Sequence, residues 1–178
     1  MAETHKKFYK IFTLGHSTRS LKAFLALLKE QDITCLVDVR TIPRSRHNPQ
    51  FNQPLLSRKL PKAGIRYQPM PGLGGLRHAK PDSINTAWRN ASFRGFADYM
   101  QTREFVKNLQ PLIRLSKRER VALMCAEAVP WRCHRSLIAD ALLVRRFEIF
   151  HMMGPKNLKS HAITPWAKVQ GVKVWYPG

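Results

Sequence analysis

The chain has 178 residues and a mass of 20.6 kDa, the size of a single domain. Its 44% hydrophobic residues suffice for a core, which excludes a disordered chain, and its apolar runs fall far short of the ~18 residues a membrane span needs. Lysine and arginine number 31 against 11 acidic residues, a formal net charge of +20 and a pI near 10.7; charge so one-sided opposes compaction and points to a polyanionic partner, nucleic acid first.

The opening MAETHKKFYK has no long apolar stretch behind its basic residues. No secretory signal is expected there, and the cytoplasm is the expected compartment. Residues 1–7 are expected to be disordered. FYKIFTL (8–14) is short, apolar and β-rich, a first strand. SLKAFLALLKEQD (20–32) places Leu21, Phe24, Leu25 and Leu28 on one helical stripe behind Ser20 as N-cap. TCLVDVR (34–40) reads as a buried strand that holds Cys35 as plain core. PLLSRKLPKAG (54–64) predicts a short helix between Pro54 and Gly64, shortened by Pro61, and IRYQPM (65–70) a third strand.

Residues 71–95 form a long Gly/Pro-rich insert, and an ordered loop of this length is usually functional. Helical spacing follows over 96–118, interrupted at Gln101-Thr102 and at Pro111. VALMC (121–125) is a fourth strand, 134–146 a helix, FEIFHMM (147–153) a fifth strand, and AKVQGVKVWY (167–176) a small hairpin within a C-terminal extension over 154–178. The alternation predicts one three-layer α/β domain spanning 1–178, with a mainly parallel sheet of about five strands and helices on both faces. In such a fold ligands bind at the carboxyl ends of the strands. The loops after the first four strands therefore converge on one edge.

The loop after the fourth strand carries the candidate chemistry. Cys125 ends the strand, Glu127 lies in the loop, and Arg132-Cys133-His134-Arg135 open the next helix. A helix start and two guanidiniums favour an anion there, a thiolate or a phosphate alike. Cys133 and His134, with Cys125 and Glu127, are the candidate reactive groups. A zinc set of Cys125, Cys133, His134 and His16 has an unusual spacing, and adjacent residues seldom point at one ion, so no metal is assigned. No cofactor is indicated, and oligomeric state is not legible.

The candidate phosphate or nucleic-acid contacts are His16 and Ser17 after the first strand and Arg40, Arg44, Arg46, His47 and Asn48 after the second. Arg132 and Arg135 join them, because guanidinium forks match phosphate oxygens. Asp38 is expected to hold Arg40 as an ion-pair partner. In the insert, WRNASFRGF interleaves Trp88, Phe93 and Phe96 with Arg89 and Arg94, a pattern that suits stacking on single-stranded bases. GLGGLR (72–77) is a weak anion-loop signal.

The motifs TLGHSTRSL, LVDVRTIPRSRHNPQFN, GIRYQPMPGLGG, NTAWRNASFRGFADYM and MCAEAVPWRCHRSLIADAL together closely resemble the domain-of-unknown-function family 488, over about residues 8–178. That resemblance implies a small α/β domain and carries no reaction or cofactor. LVDVR and the cysteine loop running into a helix are also similar to rhodanese-like sulfurtransferases. Here the loop is longer, with Arg132 seven residues after Cys125, and contains acidic Glu127. The leading expectation is a basic, nucleic-acid-associated α/β protein with an enzyme-like phosphate or thiol pocket. The alternatives are a cysteine-dependent sulfur-transfer or redox enzyme and a non-catalytic nucleic-acid-binding module.

Overall fold

A computed structural model describes residues 8–178; the expectation for 1–7 lies outside the described residues. Strands β1 (Tyr9–Gly15), β2 (Cys35–Asp38), β3 (Arg66–Pro69), β4 (Val121–Cys125), β5 (Phe147–Gly154) and β6 (Asn157–Ser160) form one sheet in the order β3-β2-β4-β1-β5-β6. All neighbours are parallel except β5 and β6, which pair as an antiparallel hairpin. β6 is a sixth strand beyond the five expected. β7 (Lys168–Gln170) and β8 (Lys173–Trp175) form the expected small hairpin.

Alternation along the inner strands builds two cores. Phe12, Leu36, Ala122 and Met124 face one side, where they pack with α1 (Leu21–Glu30) and α2 (Gln53–Lys59) through Phe24, Leu27, Leu28 and Leu56. Ile11, Cys35, Val37, Val121, Leu123 and Cys125 face the other side. That side is covered by α3 (Ala91–Met100), α4 (Arg103–Ser116) and α5 (Arg135–Leu143). The two-residue period of a strand thus decides which layer Cys125 meets. Cys35 is fully buried, and burial pushes its thiol up to about 11.

The helix ends follow local chemistry. Ser20 caps α1 by accepting from the Ala23 N–H at 3.1 Å. Thr102 Oγ1 accepts from the Phe105 N–H at 3.2 Å and starts α4, so the expected break falls at 101–102. Pro111 lies inside α4 at an exposed position and does not end it. α3 begins at Ala91 behind Asn90, so the last part of the expected insert is helix.

The topology sets the site. β1 sends α1 over one face toward β2, whereas β4 sends α5 over the opposite face toward β5. Adjacent strands whose connections diverge leave a crevice at their carboxyl ends. Gly15 and Cys125 are register partners at that edge.

A buried polar chain docks the C-terminal tail. Thr13 Oγ1 donates to His151 Nδ1 (2.7 Å), His151 Nε2 to His161 Nδ1 (3.0 Å), and His161 Nε2 to Asp140 Oδ1 (2.8 Å). Asp140 Oδ2 accepts from the buried Tyr176 hydroxyl at 2.8 Å. Burial, aided by His161, Arg135 and Lys159, pushes His151 down to about 3. Below pH 6.5 the unfolded chain therefore binds a proton that the folded chain refuses, and stability falls as pH drops from 6.5 toward 3. Between pH 7 and pH 5 the expected loss from this residue is about 2 kcal/mol, read by urea unfolding, and His151→Gln should remove that slope.

Candidate functional site

β4 delivers Cys125 to the crevice, and residues 126–132 loop out and return. A short 3-10 turn (Pro130–Arg132) ends in Cys133, which is extended (φ −138°, ψ 140°), before His134 turns helical (φ −57°, ψ −15°). Cys133 therefore stands just ahead of α5 and not in its first turn, and its Sγ accepts from the Arg135 N–H at 3.5 Å. The two sulfurs lie 2.7 Å apart, with the Cys133 thiol donating to Cys125. Among the described residues no cysteine is in a disulfide.

His134 completes the cluster. Its Nε2 lies 3.1 Å from the Val39 carbonyl, which places the hydrogen on Nε2. Nδ1 then presents its lone pair 3.7 Å from Cys133 Sγ. Both sulfurs and a ring nitrogen of His134 lie within 4.8 Å of one another, the one Cys/His/carboxylate cluster with metal-ligand geometry among the described residues. The hydrogen bond from Cys133 favours the thiolate on Cys125 against burial, helped by the Arg135 charge. Burial and the neighbouring thiolate push Cys133 up.

Arg135 is nearly inaccessible, at 1% exposure. It donates to the Glu127 carbonyl from Nη1 (2.6 Å) and to the Ala128 carbonyl from Nη2 (3.0 Å). Its expected phosphate contact gives way to this internal role, because loop carbonyls occupy the fork. Gly15 makes the return path possible, since a Cβ there would meet the Glu127 carbonyl oxygen at 1.7 Å. Gly75 does the same for the imidazole, since a Cβ would lie 2.4 Å from His134 Nδ1. The glycines of GLGGLR thus admit a neighbouring side chain.

A pocket of about 350 Å³ opens over the sulfurs. Among its walls are Arg40, Arg44, Glu127, Arg132, Leu76 and Phe93, with Cys125, Cys133 and His134 at its base. Loops after β2, β3 and β4 build it as expected. The β1 loop does not line it: His16 is buried, stacked on Phe51 at 4.4 Å, with Nδ1 donating to the Ser17 carbonyl. Burial lowers the His16 pKa, which keeps it neutral and lets Nε2 accept from Arg40 Nη1 at 3.3 Å. Ser17 adopts positive φ and ties its N–H to the Ala126 carbonyl.

Asp38 is the partner of Arg40. Its carboxylate accepts from Arg40 Nε (2.9 Å), Arg40 Nη2 (2.7 Å) and the Tyr67 hydroxyl (2.6 Å). Arg44, Arg46 and His47 are exposed along the β2 loop, with Arg44 and Arg46 sharing a groove beside the pocket, while Asn48 is half-buried and shapes the loop.

Residues 20–142 match the family described as Domain of unknown function DUF488, a span that covers the arginine loop, the insert and all three cysteines. The chain belongs to DUF488. Comparison with curated proteins and with solved structures gives no match.

The insert of this DUF488 chain departs from the stacking platform expected of it. Trp88 packs on Phe93 (4.9 Å), Trp166 (5.2 Å) and Tyr176 (5.4 Å), so it anchors the insert to the tail. Arg94 holds the same loop through the Trp88 carbonyl at 3.0 Å, Phe96 is buried, and Arg89 is exposed. Trp88, Trp131, His151, His161 and Trp166 help line a separate cleft of about 340 Å³. The roles of Val39, Gly75 and Phe93 at the thiol pocket escaped the sequence reading, although GLGG marked the loop.

Asp38→Ala would leave the Arg40 guanidinium buried without its carboxylate, and the expected cost is about 3–5 kcal/mol. Tyr67→Phe removes one hydrogen bond and is expected to cost about 1 kcal/mol. Denaturant midpoints of the two variants check both values.

Proposed function

We infer that the pocket carries out thiol–disulfide exchange, with Cys125 as the attacking sulfur and Cys133 as the resolving one. The 2.7 Å approach of the two sulfurs at the base of an open pocket is the observation that carries this reading. Both cysteines are buried, and Cys125 is the slightly more exposed residue, at 7% against 3%. Its thiolate attacks one sulfur of a substrate disulfide, forms a mixed disulfide and releases one substrate thiolate. Cys133 gives up its proton, with His134 Nδ1 in position to take it, and attacks Cys125 Sγ. The second substrate thiolate then leaves. The Cys133 proton and one from solvent end on the two substrate thiols, and the protein's two electrons reduce the substrate.

The test is equilibration of the full chain in glutathione buffers of graded ratio, acid trapping and peptide mass mapping. A reversible Cys125–Cys133 disulfide, with Cys35 free throughout, is expected. Separate glutathione adducts at the two positions, with no internal bridge, would contradict the reading.

A second reading concerns the partner. Arg44, Arg46 and Arg132 are exposed at or beside the pocket mouth on a chain of net charge +20. This favours a nucleic acid tracking along the β2 loop, with Arg40 and Arg135 reserved for internal work. Fluorescence anisotropy with single-stranded and duplex oligonucleotides across a salt series should give a steep log–log slope. Arg44→Ala and Arg46→Ala should each reduce that slope by about 1. An unchanged slope in both variants would sink the assignment.

A further inference from the structure

We propose that the reduced site is also a thiophilic metal site, in which Cys125 Sγ, Cys133 Sγ and His134 Nδ1 take one zinc-class divalent ion and the pocket supplies an open fourth position. The proposal shares with the exchange reading the reduced dithiol, His134 Nδ1 and the pocket, and does not require the exchange reaction to occur.

The spacing of Cys125, Cys133 and His134 in the chain is unlike a common zinc pattern, and adjacent residues ordinarily diverge. The backbone removes that objection here. Cys133 is extended and His134 helical, and the change of direction between them turns both side chains toward Cys125. The 3.7 Å from Cys133 Sγ to His134 Nδ1 is close to the ~3.6 Å edge that tetrahedral zinc sets between sulfur and nitrogen ligands. The sulfurs must part from 2.7 Å to the ~3.7 Å of two zinc thiolates, a separation that side-chain rotation supplies.

A second observation supports a ligand role for His134. Its far nitrogen is held by the Val39 carbonyl at 3.1 Å. A ligating imidazole typically donates its other N–H in this way, which fixes the tautomer and aims the lone pair. The near nitrogen faces two sulfurs and a pocket wall, where Gly75 leaves room beside the ring. Two thiolates and an imidazole are the donor set of a soft or borderline ion, and three protein ligands under a pocket leave one position for water or substrate. Oxidation to a disulfide removes both thiolates, so ion binding and exchange exclude one another.

The experiment is anaerobic titration of the reduced full chain with cobalt(II) chloride, followed by absorbance. One equivalent should bring sulfur-to-cobalt charge-transfer bands and the ligand-field bands of tetrahedral cobalt, and zinc should bleach them. Cys125→Ser and Cys133→Ser should abolish the charge-transfer signature, and His134→Ala should weaken binding at least ~10-fold. Absence of bands from a chain with all thiols reduced would overturn the proposal, as would unchanged bands in Cys133→Ser or His134→Ala. A readout on the unmutated chain covers variants that fail to fold. One equivalent of zinc should slow iodoacetamide alkylation of Cys125 at least ~10-fold, and an unchanged rate would overturn the proposal. A chain that binds cobalt but forms no internal disulfide keeps this proposal and loses the exchange reaction. One that forms the disulfide but gives no bands does the reverse.

Discussion

The buried guanidinium of Arg135 is the constraint on which the site depends. Seven loop residues, 126–132, separate the two cysteines, and the short 3-10 turn at Pro130–Arg132 begins their return. Arg135 draws the loop inward by occupying the Glu127 and Ala128 carbonyls from the start of α5. Among the described residues it has no carboxylate partner, and its Nε is unpaired. Burying such a charge is costly unless dipoles or anions compensate it. The loop carbonyls provide dipoles, and the guanidinium in turn favours a thiolate on Cys125.

The sheet makes this local arrangement useful. β1 and β4 end side by side where their connections part to opposite faces, so the cysteine loop rises at that crevice and packs against Gly15 at the end of β1. The buried Asp38–Arg40 pair stiffens the neighbouring β2 loop, tying it to Tyr67 and the Phe51 carbonyl. Val39, beside that pair, holds the imidazole of His134. Three strand ends thus reach the sulfurs through backbone and buried hydrogen bonds, and the surface arginines remain outside this frame.

Much of this was legible in the chain. Hydrophobic period located the first five strands and most helices, because half of each inner strand faces each core. The convergence of the β2, β3 and β4 loops followed from strand direction, whereas the turn that brings Cys133 and His134 together toward Cys125 was not legible, because adjacent residues ordinarily diverge. β6 was not legible: Asn157–Ser160 is exposed throughout and carries no apolar alternation, so only its pairing with β5 defines it. The roles of individual arginines were not legible either. A guanidinium serves a carbonyl, a carboxylate or a phosphate equally well, and burial alone separates Arg135 and Arg40 from Arg44 and Arg46. Trp88 belongs to the same class, since its partners Trp166 and Tyr176 are remote in sequence. So does the Thr13–His151–His161–Asp140 chain, whose members come from two strands, the tail and a helix.

The central claim is that Cys125 and Cys133 act as one pair in the folded protein. The most direct measurement is reaction of the reduced native chain with dibromobimane, a short fluorogenic reagent that bridges two thiols only when they are adjacent. One fluorescent bridge per chain, mapped to the peptides of Cys125 and Cys133 and lost in Cys133→Ser, is the expected result. Separate single-site adducts at the two cysteines, without a bridge, would contradict the account.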